Sequence, residues 1–170
     1  MTDPELMAHA LRYAANSPDP STQNGALLAT PDGVPLWDTV AWNTFPFGVD
    51  RSEVRWERPA KYTFVEHAER NAIYAAARHG ISTSRLTLVC PWAACADCAR
   101  AIIQSRIDRL ITLAPERHTT HARWDESIEA AMTMLSEAEV TVTYLEDPIP
   151  GPLPTLRRNG EPWSVEEAAS

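Results

Sequence analysis

Apolar side chains recur at helical spacing over residues 4–15, with Leu6, His9/Ala10 and Tyr13 in step and Asp3 placed to cap the start. SPDPSTQNG follows, dense in residues that bond their own backbone or fix φ, and reads as a loop. Residues 26–30 and 34–42 read as strands joined by the Pro31-Asp32-Gly33 turn, which together predict a hairpin. No period runs through residues 43–62, and an irregular loop of that length in a compact domain is usually functional. A second helix is expected over 65–78, with Gly80 as its natural stop. Strands at 86–90, 109–113 and 140–145 then alternate with helices at 95–105 and 125–138. Strands separated by helices predict a sheet with parallel segments, here opened by an antiparallel hairpin. After Asp147 the sequence PIPGPLPTLRRNGEPWSVEEAAS is proline-rich and is expected to lie extended over a surface. The chain thus divides into a domain over 1–146 and a tail over 147–170, with no internal repeat.

Composition narrows the function classes. Of 170 residues, 44% are hydrophobic, enough for a packed core. The net charge of -8 and pI near 5.1 describe a surface that repels phosphate backbones, so a nucleic-acid polymer is not an expected partner. A local basic pocket for one small phosphate remains compatible with that charge. No apolar run approaches the roughly 20 residues that span a bilayer. MTDPELMAHA lacks the pattern of a signal peptide, so a cytoplasmic location and no membrane partner are expected. Three cysteines, Cys90, Cys95 and Cys98, fall close together. An odd, clustered set suits metal binding or catalysis better than a disulfide framework.

His67-Ala68-Glu69 opens the second helix, and Cys95-Ala96-Asp97-Cys98 opens the third. Cys95 and Cys98 share a helix face and can grip one ion, and helix N-termini favour thiolates. A neutral imidazole and two thiolates balance Zn²⁺ and leave a fourth tetrahedral position for water, the pattern of a catalytic site. Glu69 is then free to manage that water's proton. A redox Cys-x-x-Cys, or a structural zinc completed by Cys90 or His118, stands as the alternative. Cys90 also suits a small buried hydrophobe. His9, His79, His118 and His121 read as surface or packing residues. For a phosphate, Arg51, Arg55, Lys61 and Arg123 offer cations, and Arg123 beside Trp124 stands just before a helix, an anion-binding position.

His-x-Glu on one helix with Cys-x-x-Cys on the next is the signature of zinc-dependent nucleobase deaminases. Over residues 11–144 the chain resembles the deoxycytidylate (dCMP) deaminases in DPSTQNGA, in AWNTFPFGV (family Gly-Tyr-Asn-Gly-x-Pro-x-Gly, with Asn43, Pro46 and Gly48 matching), in RPAKYTFVEHAERNAIYAAARHG and in CADCARAIIQSRI. The resemblance implies a cytidine-deaminase-like three-layer α/β/α sandwich around a five-stranded mixed sheet. It implies Zn²⁺ as cofactor on His67, Cys95 and Cys98, and hydrolysis of dCMP to dUMP with release of ammonia. Glu69 would take a proton from water, protonate N3 and help ammonia leave. Asn43, Ala68, Arg123 and Trp124 would contact the substrate. A homo-oligomer and an allosteric nucleotide are further implied partners. Departures from the family are Ala94 in place of a proline, Trp42 for tyrosine, Thr44 for glycine and Asn24 for a small apolar residue. They bring in a 5-methyl or 5-hydroxymethyl dCMP, or a free nucleoside or nucleobase, as alternative substrates. Leu153, Leu156 and Trp163 in the tail seek cover, expected on a neighbouring subunit, with folding back on the same chain as the alternative.

Overall fold

The first helix, α1 (Asp3–Ala14), begins one residue before its apolar spacing predicts, because Thr2 rather than Asp3 caps it. The Thr2 hydroxyl accepts the Glu5 N–H, and the Glu5 carboxylate accepts the Thr2 N–H at 2.7 Å. This computed structural model describes residues 1–115 and 122–165. Strands β1 (Gly25–Ala29) and β2 (Pro35–Trp42) form the expected antiparallel hairpin. Their register slips between Ala26 and Leu28, and the Thr39 hydroxyl patches the gap by accepting the Leu28 N–H at 2.9 Å. Within the irregular loop lie a 3₁₀ turn, Glu53–Arg55, and a one-turn helix, α2 (Lys61–Phe64). Then come α3 (Ala68–His79), β3 (Thr87–Val89), α4 (Ala96–Gln104), β4 (Arg109–Leu113), α5 (Asp125–Glu137) and β5 (Thr141–Leu145).

The sheet runs β2-β1-β3-β4-β5, with β3 antiparallel to β1 and parallel to β4, and β4 parallel to β5. Neighbouring strand residues point to opposite faces. Leu27, Val89, Ile111 and Leu113 meet Leu6, Met7 and Leu11 of α1 on one side. Leu28, Leu88 and Leu110 meet Ala72 of α3, Ile102 of α4 and Leu135 of α5 on the other. With both faces covered, the central strands read as apolar runs rather than alternations. Gly25 lets α1 sit low on β1: a Cβ there would stand 2.3 Å from the Ala10 carbonyl oxygen. The result is the expected three-layer sandwich on a five-stranded mixed sheet.

The tail departs from its expected extended path. The Arg12 guanidinium donates to the carbonyls of Pro150 and Pro152, after which β6 (Leu156–Arg158) and β7 (Glu161–Trp163) pair antiparallel. Asn159 and Gly160 join them, with φ of 54° and 91°, the two-residue turn that matches strand twist. Leu156 and Val165 are buried in the α1-side cluster of the same chain, so the apolar groups of the tail find cover without a neighbour.

Candidate metal centre and substrate cavity

Two helices begin at donor residues. His67 is the N-cap of α3 and Cys95 the N-cap of α4, both with extended backbone, and neither side chain caps its own helix. Imidazole and thiol therefore turn to one another: His67 Nδ1 lies 3.6 Å from Cys95 Sγ and 3.5 Å from Cys98 Sγ. The three donor atoms lie within 4.8 Å of one another. Arg70, one turn into α3, reaches across to α4: its Nη1 is 3.7 Å from Cys98 Sγ and 3.8 Å from Asp97, while the same guanidinium pairs with Glu66. Such outer contacts orient a ligand.

The hydrogen bond with Cys98 lowers the Cys95 thiol pKa to about 3 against the opposing effect of burial, and His67 helps. The same contact, then burial, pushes Cys98 well up. The two sulfurs thus share a proton, which a divalent cation would replace. One imidazole and two sulfurs fit zinc, and His67 and Cys95 face a cavity, so the set is open on that side. Cys90 lies apart from the cluster; it is buried after β3, hydrogen-bonded to Asn24, and its thiol is pushed up by burial. His118 and His121 lie outside the described residues.

Glu69 is buried in the first turn of α3, and burial pushes its carboxyl pKa up against the pull of His67. Its Oε2 accepts from Asn24 Nδ2 at 3.4 Å. His67 and Glu69 line a cavity open to solvent, with Asn43, Arg123 and Trp124 also on its walls. Ala68 is the exception among the residues expected at the site: it is fully buried in the helix-side core and does not line the cavity. Asn43 is fixed at both ends, donating to Asp19 at 2.8 Å and to the Thr22 carbonyl at 2.9 Å, and accepting the Asn24 N–H at 2.7 Å. Trp124 stands edge-on to Tyr62 and to His67, at 5.6 and 6.0 Å between centroids.

Of the cations expected to meet a phosphate, Lys61 and Arg123 line the cavity and Arg51 and Arg55 do not. Arg55 instead lies over the Phe64 ring and donates to the Asp50 carbonyl. Lys61, the one lysine in the chain, forms a buried pair with Asp19 at 2.6 Å, and Asp19 also accepts the N–H groups of Ser21 and Thr22. Sequence reasoning missed Asp19, Arg58, Trp92 and Arg158 as cavity residues, and treated Asn24 only as a departure. The Asp and Ser turn chemistry of SPDPSTQNG was the available signal for Asp19. Asn159-Gly160, a turn dipeptide, was the signal for Arg158 beside it.

Comparison with known proteins agrees with this geometry. An uncharacterized deaminase from the luxG 3′ region of Aliivibrio fischeri is 36% identical over 132 residues, covering 76% of this chain and 83% of the relative. The deoxycytidylate deaminase of Homo sapiens is 29% identical over 142 residues, covering 80% and 75%. The crystal structure of the dCMP deaminase from cyanophage S-TIM5 superposes with a TM-score of 0.62 at 22% identity, covering 84% of this chain and 96% of that one. The same protein in complex with dCMP and dUMP gives 0.61 at 23% identity, covering 82% and 93%. Residues 1–114 match the family described as the cytidine and deoxycytidylate deaminase zinc-binding region. The chain therefore belongs to the cytidine and deoxycytidylate deaminases, a family of zinc-dependent hydrolytic enzymes.

Proposed function

We propose that the protein converts dCMP to dUMP and ammonia in pyrimidine deoxynucleotide metabolism. The observation that carries this reading is that Glu69 and the His67–Cys95–Cys98 cluster meet at one cavity whose walls also bear Arg58, Lys61, Arg123 and Arg158. The human relative named for deoxycytidylate and the cyanophage protein found with dCMP and dUMP support it.

His67, Cys95 and Cys98 would hold the metal. When bound, zinc supplies a Lewis acid that makes water acidic enough to ionise near neutrality. Glu69 takes a proton from the attacking water and delivers it to N3 of the cytosine as oxygen bonds to C4. It then moves the proton of the new hydroxyl to the amine at C4, the C4–N bond breaks, and ammonia leaves. Asn24 steadies the carboxylate through its contact with Oε2. Trp124, braced by Tyr62, gives the base an aromatic wall. Both Asn43 amide protons are engaged, so its contact with substrate uses the second lone pair of Oδ1. Ala68 offers only its backbone, since its methyl belongs to the core.

Ammonia release by the zinc-loaded protein on dCMP, deoxycytidine, cytosine, 5-methyl-dCMP and 5-hydroxymethyl-dCMP tests the assignment. We expect dCMP to give the highest kcat/KM. A higher value for a 5-substituted dCMP moves the assignment to that nucleotide, and deoxycytidine turned over as efficiently as dCMP overturns it. The same reading makes the enzyme a cytoplasmic homo-oligomer; the assembly is supported by the exposed Phe47, 81% accessible, with Arg78 over its ring and Tyr74 one turn before Arg78 on α3. An allosteric nucleotide would show as a sigmoidal dependence of rate on dCMP.

A further inference from the structure

The hairpin of the tail reaches the substrate cavity. Arg158, the last residue of β6, and Asn159 of the turn line it together with Arg58, Lys61 and Arg123. One loop sets this placement. The Gln23 N–H donates to the Arg157 carbonyl at 2.9 Å, and the Gln23 side-chain oxygen accepts the Arg157 N–H at 3.0 Å. The Thr22 hydroxyl accepts the Asn159 N–H at 3.1 Å, and the Ser21 carbonyl accepts the Gly160 N–H at 2.8 Å. The Ser21 hydroxyl accepts from Arg58 at 3.0 Å, and Asp19, two residues earlier, holds Lys61. The Arg158 guanidinium sits 3.9 Å over the centroid of Trp92, which packs edge-on against Trp163 and donates to the Gln23 carbonyl. Burial pushes the pKa of Arg158 down to about 10, so it is partly desolvated yet charged at neutral pH.

A chain of net charge -8 thus gathers Arg58, Lys61, Arg123 and Arg158 around one cavity, whose carboxylates among the described residues are Asp19, paired with Lys61, and the buried Glu69. Such a concentration of cations in an acidic protein suits an anionic ligand. A guanidinium fork matches the oxygens of a phosphate, and low dielectric strengthens the contact. Resting on the reading that the substrate is a nucleotide, we infer that Arg158 of the tail hairpin, with Arg58 on the same cavity, binds the 5′-monophosphate. The segment beyond the sandwich thereby supplies the preference for nucleotide over nucleoside.

Zinc-loaded wild type, Arg158→Met and Arg158→Lys are compared on dCMP and deoxycytidine. Methionine keeps an apolar stem over Trp92 while removing the charge, and zinc content and melting temperature report folding. The ratio of kcat/KM for dCMP to that for deoxycytidine should fall on the order of 10- to 100-fold in Arg158→Met, carried by KM for dCMP. Arg158→Lys should recover part of it. Arg158→Gln serves the same comparison should the methionine variant lose its zinc. A wild-type preference for dCMP that survives unchanged in the variants overturns the role of Arg158 and leaves the substrate reading standing. A wild type that treats the two compounds alike overturns both.

Discussion

Glu69 is 2% exposed and faces outward only through the cavity it lines, which suits a group that exchanges protons with a bound substrate. Glu69→Ala should retain zinc, measured by metal analysis, and lose at least ~10²–10⁴-fold in kcat. Near-normal turnover would remove Glu69 from the reaction. The Asp19–Lys61 pair makes a different demand, because both ends are buried. Asp19→Ala strands an ammonium in the interior and should cost ~3–5 kcal/mol in chemical denaturation, with Lys61→Met on that background recovering part. Burial holds the Lys61 pKa below the usual lysine value, with Asp19 opposing. The folded chain therefore releases this proton at lower pH than the unfolded chain, and Lys61 contributes a stability that rises with pH between the two pKa values. Lys61→Met should flatten that alkaline rise. His67, Glu69, Cys95 and Cys98 were legible in the sequence because two short motifs carry them, His-x-Glu and Cys-x-x-Cys, each at the start of a helix. Asn24, Arg58 and Arg158 were not: they converge through loops whose hydrogen bonds join residues far apart in the chain.

At the level of elements, α1, α3, α4 and α5 were legible because each is long enough to show its apolar period, as with Leu6, Ala10 and Tyr13. Their starts shifted where a cap decided the boundary: Thr2 for α1, His67 for α3 and Cys95 for α4. The four-residue α2 and the Glu53–Arg55 turn are too short to show any period. The tail misled because prolines dominate its composition while one dipeptide, Asn159-Gly160, determines its shape. Because the hairpin packs on its own chain, deleting it should act on stability. A chain ending at Asp147 uncovers the core beside Leu156 and Val165 and should lose at least about 3 kcal/mol of stability by thermal or urea unfolding. It should still bind zinc, since His67, Cys95 and Cys98 all remain. An unchanged melting temperature would mean that the hairpin does not hold the α1 face.

On the scale of the whole molecule, the acidic composition and the cation-lined cavity differ in charge, an arrangement that suits a small anion better than a polyanion. Light scattering at micromolar concentration should give a multiple of the 18.9 kDa chain, and Phe47→Asp should lower it. A wild-type monomer would overturn the oligomer. Lys61 adds a practical property that follows from its solitude. An amine-directed reagent can meet only this side chain and the amino terminus, whose nitrogen donates to the Gly33 carbonyl at 2.8 Å. Acylation at residue 61, resolved from the amino terminus by mass spectrometry, is therefore a covalent reporter in the cavity wall. Ligand occupancy becomes readable from its labelling rate without any mutation or attached dye.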